Sequence, residues 1–402
     1  MVSRRHFVGA LTTLLAMPPA WAHEGHEPPV SAKKRLPKAE FNASVAIDPD
    51  GQLWSVCKEG DHAIVRHAER PGAPWSLPVR VNLQAEGIAA DGDSRPKIAV
   101  GPKGEVYVSW TRPLGKPYTG EIRFARSLDG GQTFSLPITV HVDRQEITHR
   151  FDALTITPLG EVIVVWIDKR DQERAKAGGR AYRGAAVYFA VSVDQGQSFL
   201  GDHLLAEHSC ECCRIALLPQ ADGSVLALWR HVFEPNVRDH GFAAVGGTAP
   251  ADVVRASFDD WHIDACPHHG PGLASAADGG YHAVWFGIRK KGNEDIAAVR
   301  YARLRADGSP LLESVRVLPD ERAEHADVLA SGSQVAVVWR SVNSMQSTLY
   351  AWLSKDGGKS FQLRQLSKVQ GDNDHPRLAQ SGERMVAVWR NAKEVQVHEL
   401  KF

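Results

Sequence analysis

The sequence predicts an all-β chain folded as a seven-bladed β-propeller with four short strands per blade. Three observations predict it: a repeat that returns one marker residue in the same slot, a turn motif that recurs between strands, and a composition rich in turn formers. In each repeat an apolar strand runs through a Gly turn into a second strand that ends on the marker. Lys97-Ile98-Ala99-Val100, Gly104 and Trp110 match Ala153-Leu154-Thr155-Ile156, Gly160 and Trp166. The slot reads Cys57, Trp110, Trp166, Trp229, Trp285, Trp339 and Trp389, with 50 to 63 residues between successive members. One strand pair cannot bury both of its faces, so units of this size must pack on one another, and four-stranded units do so radially. The 402 residues are 43% hydrophobic, enough for a large core, and 35 Gly with 23 Pro fit strands and turns better than a helical bundle.

The third and fourth strands follow the marker, most clearly over 121–127 with 133–140 and over 186–192 with 198–205. Between them lies Ser-x-Asp-x-Gly-x-x-Phe. It occurs as Ser127, Asp129, Gly131, Phe134, as Ser192, Asp194, Gly196, Phe199, and as Ser354, Asp356, Gly358, Phe361. The chemistry is that of a turn: the carboxylate accepts backbone N–H bonds, Gly takes a positive φ and the aromatic packs beneath. The seventh repeat stops after its third strand, within 395–402. Arg35-Leu36-Pro37-Lys38 carries the Leu-Pro step seen at Leu77-Pro78 and Leu136-Pro137, so this segment is expected to close the ring as the missing strand.

The N-terminus reads as an address. Ser3-Arg4-Arg5-His6-Phe7 precedes an apolar stretch over 8–16, and Ala20-Trp21-Ala22 fits a small-x-small cleavage site. The pattern is that of a twin-arginine signal over 1–22, which sends the protein to the periplasm or outside the cell. A mobile segment follows over 23–34, in which His23 as a new terminus, helped by His26, could chelate copper. The propeller then occupies 35–402. No other apolar run is long enough for a span, and a net charge of +0 gives no reason to expect nucleic acid as partner. A monomer without a nucleotide cofactor is expected.

Propeller topology places the start of each first strand and the end of each second strand at one mouth of the channel. About fifteen residues before each marker stand Asn42, Arg95, Arg150 with His149, Arg214 with Cys213, His269 with His268, His325 and His375. Second-strand ends add Lys58, Arg112, Asp168, Arg170, Arg230, His231, Arg340 and Arg390. Cys210-Glu211-Cys212-Cys213-Arg214 leads into the fourth repeat and Cys266-Pro267-His268-His269-Gly270-Pro271 into the fifth. Thiolate and imidazole suit copper or zinc, so Cys210, Cys212, Cys213, Cys266, His268 and His269 form a candidate metal set. His149, His325 and His375 are outer candidates. Disulfides, with Cys266 bridging to Cys212 or Cys213, are the competing reading, which export permits. Cys57, in a core slot, reads as a buried thiol.

The Ser-x-Asp-x-Gly-x-x-Phe turns resemble the Asp boxes (BNR repeats) of sialidase-like propellers, over nearly all of the chain after residue 22. Val245-Gly246-Gly247 and Ala306-Asp307-Gly308 are worn versions. Together with Trp229-Arg230-His231, Asn236-Val237-Arg238-Asp239-His240 and the two Cys motifs, the pattern is similar to exported bacterial sialidase-like proteins. The resemblance leaves a six-bladed ring as the alternative to seven. It implies an exo-sialidase-type glycoside hydrolase, with an arginine clamp drawn from Arg95, Arg150, Arg214, Arg340 and Arg390, with Asp168 as acid and with Arg230 as a further site candidate. It also implies a Tyr nucleophile with a Glu partner and a Phe-Arg-Ile-Pro motif at the first blade. Here Phe41-Asn42-Ala43-Ser44 stands at that position. Tyr301 and Tyr350 fall on third strands, and Tyr118 and Tyr182 lack an evident Glu. The leading expectation is therefore an exported propeller that binds copper or zinc at the Cys/His cluster, in periplasmic metal handling or metal-assisted chemistry. The alternative is a glycoside hydrolase or glycan-binding protein that uses the Arg ring for a small anionic ligand, with the cysteines in disulfides.

Overall fold

The structure is a computed structural model and describes residues 42–263, 268–292, 294–343 and 346–402. Seven antiparallel sheets succeed one another along the chain, each a meander whose strands pair only within their own sheet. Six of the sheets have four strands; blade 3, for example, comprises His149–Ile156, Val162–Asp168, Ala185–Ser192 and Leu200–Ser209. Blade 7 has three among the described residues, Arg377–Ser381, Arg384–Arg390 and Val395–Glu399. The expected closing strand at Arg35-Leu36-Pro37-Lys38 lies outside the described residues, as do the signal and the His23/His26 segment. The blade count is seven, not the six of the alternative.

The core explains the ring. Seven apolar clusters occur among the described residues, one for each pair of neighbouring blades. The last of them joins Leu53 of blade 1 to Ala379, Val386 and Val388 of blade 7. Strands such as Val162–Asp168 are buried along their whole length because both faces meet a neighbour. The six marker tryptophans are buried, and most tie their indole N–H to an acid. Trp110 donates to Glu86 at 2.8 Å, Trp166 to Asp168 at 2.8 Å, Trp285 to Asp259 at 2.7 Å and Trp339 to Asp320 at 2.8 Å.

The Asp boxes hold one blade against the one before it. Asp129 Oδ1 accepts the N–H groups of Gln132 and Thr133, and its Oδ2 accepts the Thr133 hydroxyl at 2.6 Å. These bonds, the Thr133 hydroxyl first, hold its pKa down at about 2. Asp194 repeats the arrangement with Ser198. A Cβ on Gly131 would stand 2.6 Å from the Trp54 ring of blade 1, so both the positive φ and the close approach demand Gly there. The fourth strand of blade 2 is shorter than the sequence suggests, whereas that of blade 3 runs over Leu200–Ser209. The span 133–140 pairs as a strand only over Ile138–Thr139, because Pro137 offers no N–H to a ladder. The α-helix Arg170–Ala177 was not foreseen. Its Arg, Gln, Glu, Lys and Ala content favours helix, and Gly178 and Gly179 end it.

Blades 1, 2 and 7 are joined by one buried ion pair. Arg95 meets both oxygens of Asp374 at 2.8 Å and donates to Ala43 O at 2.8 Å, while Asp374 Oδ2 also accepts the Ala43 N–H at 2.8 Å.

Candidate functional site at the channel mouth

The segments leading into the first strands bring the predicted histidines together. The His375 ring stacks on His325 with centroids 3.3 Å apart and planes 10° off parallel. His325 stacks in turn on His269 at 4.4 Å, and His269 on Phe286 at 4.2 Å. Blades 5, 6 and 7 thus supply one imidazole column. Asp93, from the segment before blade 2, closes on it: Asp93, His325 and His375 each offer a ligand atom, all within 4.8 Å of one another. Asp93 Oδ1 also accepts from Arg377 at 2.6 Å. Burial works against the Asp93 charge, but His375, Arg214 and Arg377 outweigh it and hold the carboxyl well below its usual range. Burial pushes His269 down to about 4 and drives His325 and His375 well below the ordinary imidazole value. The column is therefore neutral at pH 7, with lone pairs able to accept a proton or bind a cation. The Nδ1 atoms of His269 and His325 have no hydrogen-bond partner among the described residues.

The predicted arginines divide by role. Arg95 and Arg230 are buried and hold backbone: Arg230 donates to Arg238 O, Phe286 O and His269 O at 2.9, 2.7 and 3.2 Å. Arg214 donates to Pro271 O at 2.7 Å and to Ala326 O at 3.0 Å, spanning the approaches to blades 5 and 6. Arg340 bonds Glu324 Oε2 and Asn373 O, both at 3.1 Å. Arg150 is partly exposed and stands 3.8 Å from Asp91. Arg390 lies elsewhere, lining a cavity of about 350 Å³ with Cys57, Arg66 and Trp75. That cavity stands where a Trp fills the other six slots. Cys57 is not in a disulfide, and burial raises its pKa.

Asp168, the candidate acid, is fully buried and holds the Trp166 indole and Arg170, the latter at 2.7 Å. His149 stacks on His141 and lies 3.7 Å from Asp168, in a group of its own in blade 3. Tyr301 is buried under the Asp-box Gly358 and bonds His282, and Tyr350 packs in the cluster between blades 5 and 6.

The thiols form a second focus. Cys210 Sγ lies 3.9 Å from Cys212 Sγ and 3.8 Å from Cys213 Sγ, and all three sulfurs are buried and within 4.8 Å of one another. The loop carrying them is anchored by Cys210 N–H to Arg230 O at 2.9 Å, and Arg238 Nη1 donates to Cys210 Sγ at 3.4 Å. Glu211 turns away to Lys169 at 2.8 Å. The contacts with Cys212 and Cys213 lower the Cys210 pKa well below normal, whereas the contact with Cys210 raises that of Cys213. None of these three is in a disulfide. His268 is exposed, and His269 belongs to the imidazole column. Cys266 lies outside the described residues.

Sequence reasoning missed Asp93, Asp374, Arg377 and the contact of Arg238. The first three carried a signal: Asp93-Ser94-Arg95-Pro96 and Asp374-His375-Pro376-Arg377 each place an acid, a basic residue and a Pro within the 12 to 17 residues before the marker. Arg238 sat in a motif already noted, but only folding brings it to Cys210.

No protein-family model and no curated sequence matches the chain. Solved structures do resemble it. The polysaccharide lyase Uly1 superposes with a TM-score of 0.57 at 8% identity, covering 90% of this chain and 91% of that one. An ulvan lyase of family PL25, bound to a ligand containing glucuronate and sulfated rhamnose, gives 0.54 at 12% identity over 88% and 90%. An α-L-arabinanase of Penicillium chrysogenum complexed with arabinobiose gives 0.50 at 13% identity over 76% and 92%. The fold shared with these structures is the seven-bladed β-propeller. At such identities the likeness is one of architecture, and function must be argued from the site. No helix among the described residues is long and apolar enough to cross a membrane.

Proposed function

We propose that the protein binds an acidic polysaccharide at the channel mouth and cleaves it by elimination at a uronate. The observation that carries this reading is the neutral imidazole column of His269, His325 and His375 set beside Arg214, Arg340 and Arg377. A guanidinium that neutralises a uronate carboxylate makes the adjacent ring proton more acidic. A neutral imidazole can take that C5 proton as the C4–O bond breaks; the C–H electron pair becomes the C4–C5 double bond, and the leaving glycosidic oxygen takes a proton from water. Two lyases of polysaccharides among the architectural neighbours, one holding a glucuronate-containing ligand, support this chemistry over sialoside hydrolysis. Hydrolysis of the sialidase type is further disfavoured by the burial of Asp168 and Tyr301. The twin-arginine segment belongs to the same proposal, since export would bring the protein to such polymers.

The test is to incubate the purified chain with a panel of uronate and sulfated polysaccharides. Binding is read by calorimetry, and cleavage by the ultraviolet absorbance of the unsaturated product. Arg340→Ala should weaken binding about 10- to 100-fold, the worth of a charged hydrogen bond. His325→Ala should abolish product while binding persists. No binding and no product across the panel would remove the proposal.

A second reading, soft-metal handling at a Cys/His cluster, is favoured by the convergence of Cys210, Cys212 and Cys213. Elemental analysis and a thiol count on protein purified without chelators decide it. Stoichiometric metal with reactive thiols supports the reading; no metal and blocked thiols removes it.

A further inference from the structure

The spacing of the three buried sulfurs is that of a metal site. A disulfide needs an S–S length of about 2.05 Å, far below the 3.8 and 3.9 Å observed. Metal–thiolate bonds of about 2.3 Å require sulfur–sulfur edges of roughly 3.8 Å for tetrahedral and 4.0 Å for trigonal geometry. The two edges from Cys210 match these values, and the Cys212–Cys213 edge lies within 4.8 Å. The loop is also fixed beforehand: Cys210 N–H is bound to Arg230 O, and Glu211 is held outward by Lys169, which leaves Cys210, Cys212 and Cys213 facing one another.

Charge and coordination number select the ion. Among the described residues the ligand group closes at three sulfurs, with no imidazole or carboxylate within reach of all of them. Zinc in structural sites takes four ligands, whereas soft thiolate sets also select Cu(I). Three thiolates around a monovalent ion carry two net negative charges. The guanidinium of Arg238 touches Cys210 Sγ, and that of Arg230 lies in the same wall of the site, so the two positive charges offset them. A divalent ion would leave an uncompensated cation there.

We infer that Cys210, Cys212 and Cys213 form a three-thiolate site for a single copper(I) ion, buttressed by Arg230 and Arg238. The inference rests on the soft-metal reading and is independent of the polysaccharide reading. It makes the propeller a carrier of a buried soft cation at the approach to blade 4, separate from the imidazole column.

The full chain, reduced and handled without oxygen, is titrated with Cu(I) against a chromophoric Cu(I) chelator, and the product is examined by X-ray absorption. One copper per chain, with a shell of three sulfurs and no nitrogen, is expected. Cys212→Ser should weaken copper binding at least about tenfold, the scale on which even supporting residues matter at metal sites. Circular dichroism confirms that this variant folds. Cys57→Ser should bind copper as the parent does, which excludes adventitious uptake by that thiol. Uptake of neither copper nor zinc by the reduced parent overturns both the inference and the soft-metal reading. Zinc held by mixed sulfur and nitrogen ligands, in preference to copper, overturns the three-thiolate copper site but keeps the soft-metal reading.

Discussion

Asp374→Ala should loosen the ring where its first and last blades meet. The carboxylate accepts two bonds from Arg95, one from Ala43 N–H and one from His375 N–H, and both charged side chains are nearly fully buried. Truncation leaves the Arg95 guanidinium without its partner in a dry site. Breaking a buried pair from one side costs about 3–5 kcal/mol, because the surviving charge keeps its desolvation penalty. For a chain of this length that loss corresponds to a fall in Tm on the order of 4–6 °C. Thermal melts and urea titrations followed by circular dichroism measure it. The double variant Arg95→Met with Asp374→Leu should recover most of the loss, since apolar replacement removes both charges together. The reasoning fails if Asp374→Ala stays within about 0.5 kcal/mol of the parent, the scale of a neutral surface change. It fails equally if the double variant is no better than the single one.

Acid should weaken the fold through its buried imidazoles. His269 is held neutral down to about 4, whereas an unfolded histidine protonates near 6.5. The unfolded chain therefore binds more protons between those values, so stability is complete above pH 6.5 and falls as pH drops toward 4, by roughly 3 kcal/mol for this one group. A urea midpoint unchanged from pH 7 to 4.5 would contradict this. Trp339→Ala, which empties a fully buried slot between blades, should cost about 3–5 kcal/mol. Cys57→Ala, beside an existing cavity, should cost only about 1 kcal/mol in the same denaturation assay. Asp129→Ala should lower Tm by undoing its turn yet leave polysaccharide binding unchanged by calorimetry, because the box lies on the face opposite the mouth.

The site was partly legible because the repeat gives every blade the same phase. Counting back from the marker found His269, His325 and His375, which do stack, and Cys213, whose motif added Cys210 and Cys212, which do converge with it. The same phase reading gave Arg95 as a clamp candidate and the second-strand end gave Arg230 as a site candidate, yet Arg95 holds Asp374 and Ala43 O and Arg230 holds backbone carbonyls instead. Phase places a residue at the mouth but cannot say whether its charge is answered by a neighbouring blade. Asp93 and Arg377 meet at 2.6 Å across 284 positions of sequence.

By itself the sequence determined the all-β class, the seven repeats, the Asp-box turns and the phase of the mouth. Each of these depends on residues within one repeat, where strand periodicity, Gly conformation and carboxylate-to-backbone bonds act over a few positions. The tertiary structure alone decided that Arg95 answers Asp374 and that Asp93 joins His325 and His375. It alone set three sulfurs at metal-ligand spacing with Arg238 beside them. The first two contacts join different blades, so only the closing of the ring sets their distances and burial; the sulfurs share one loop, whose course is fixed by its anchor to Arg230 O and by Arg238.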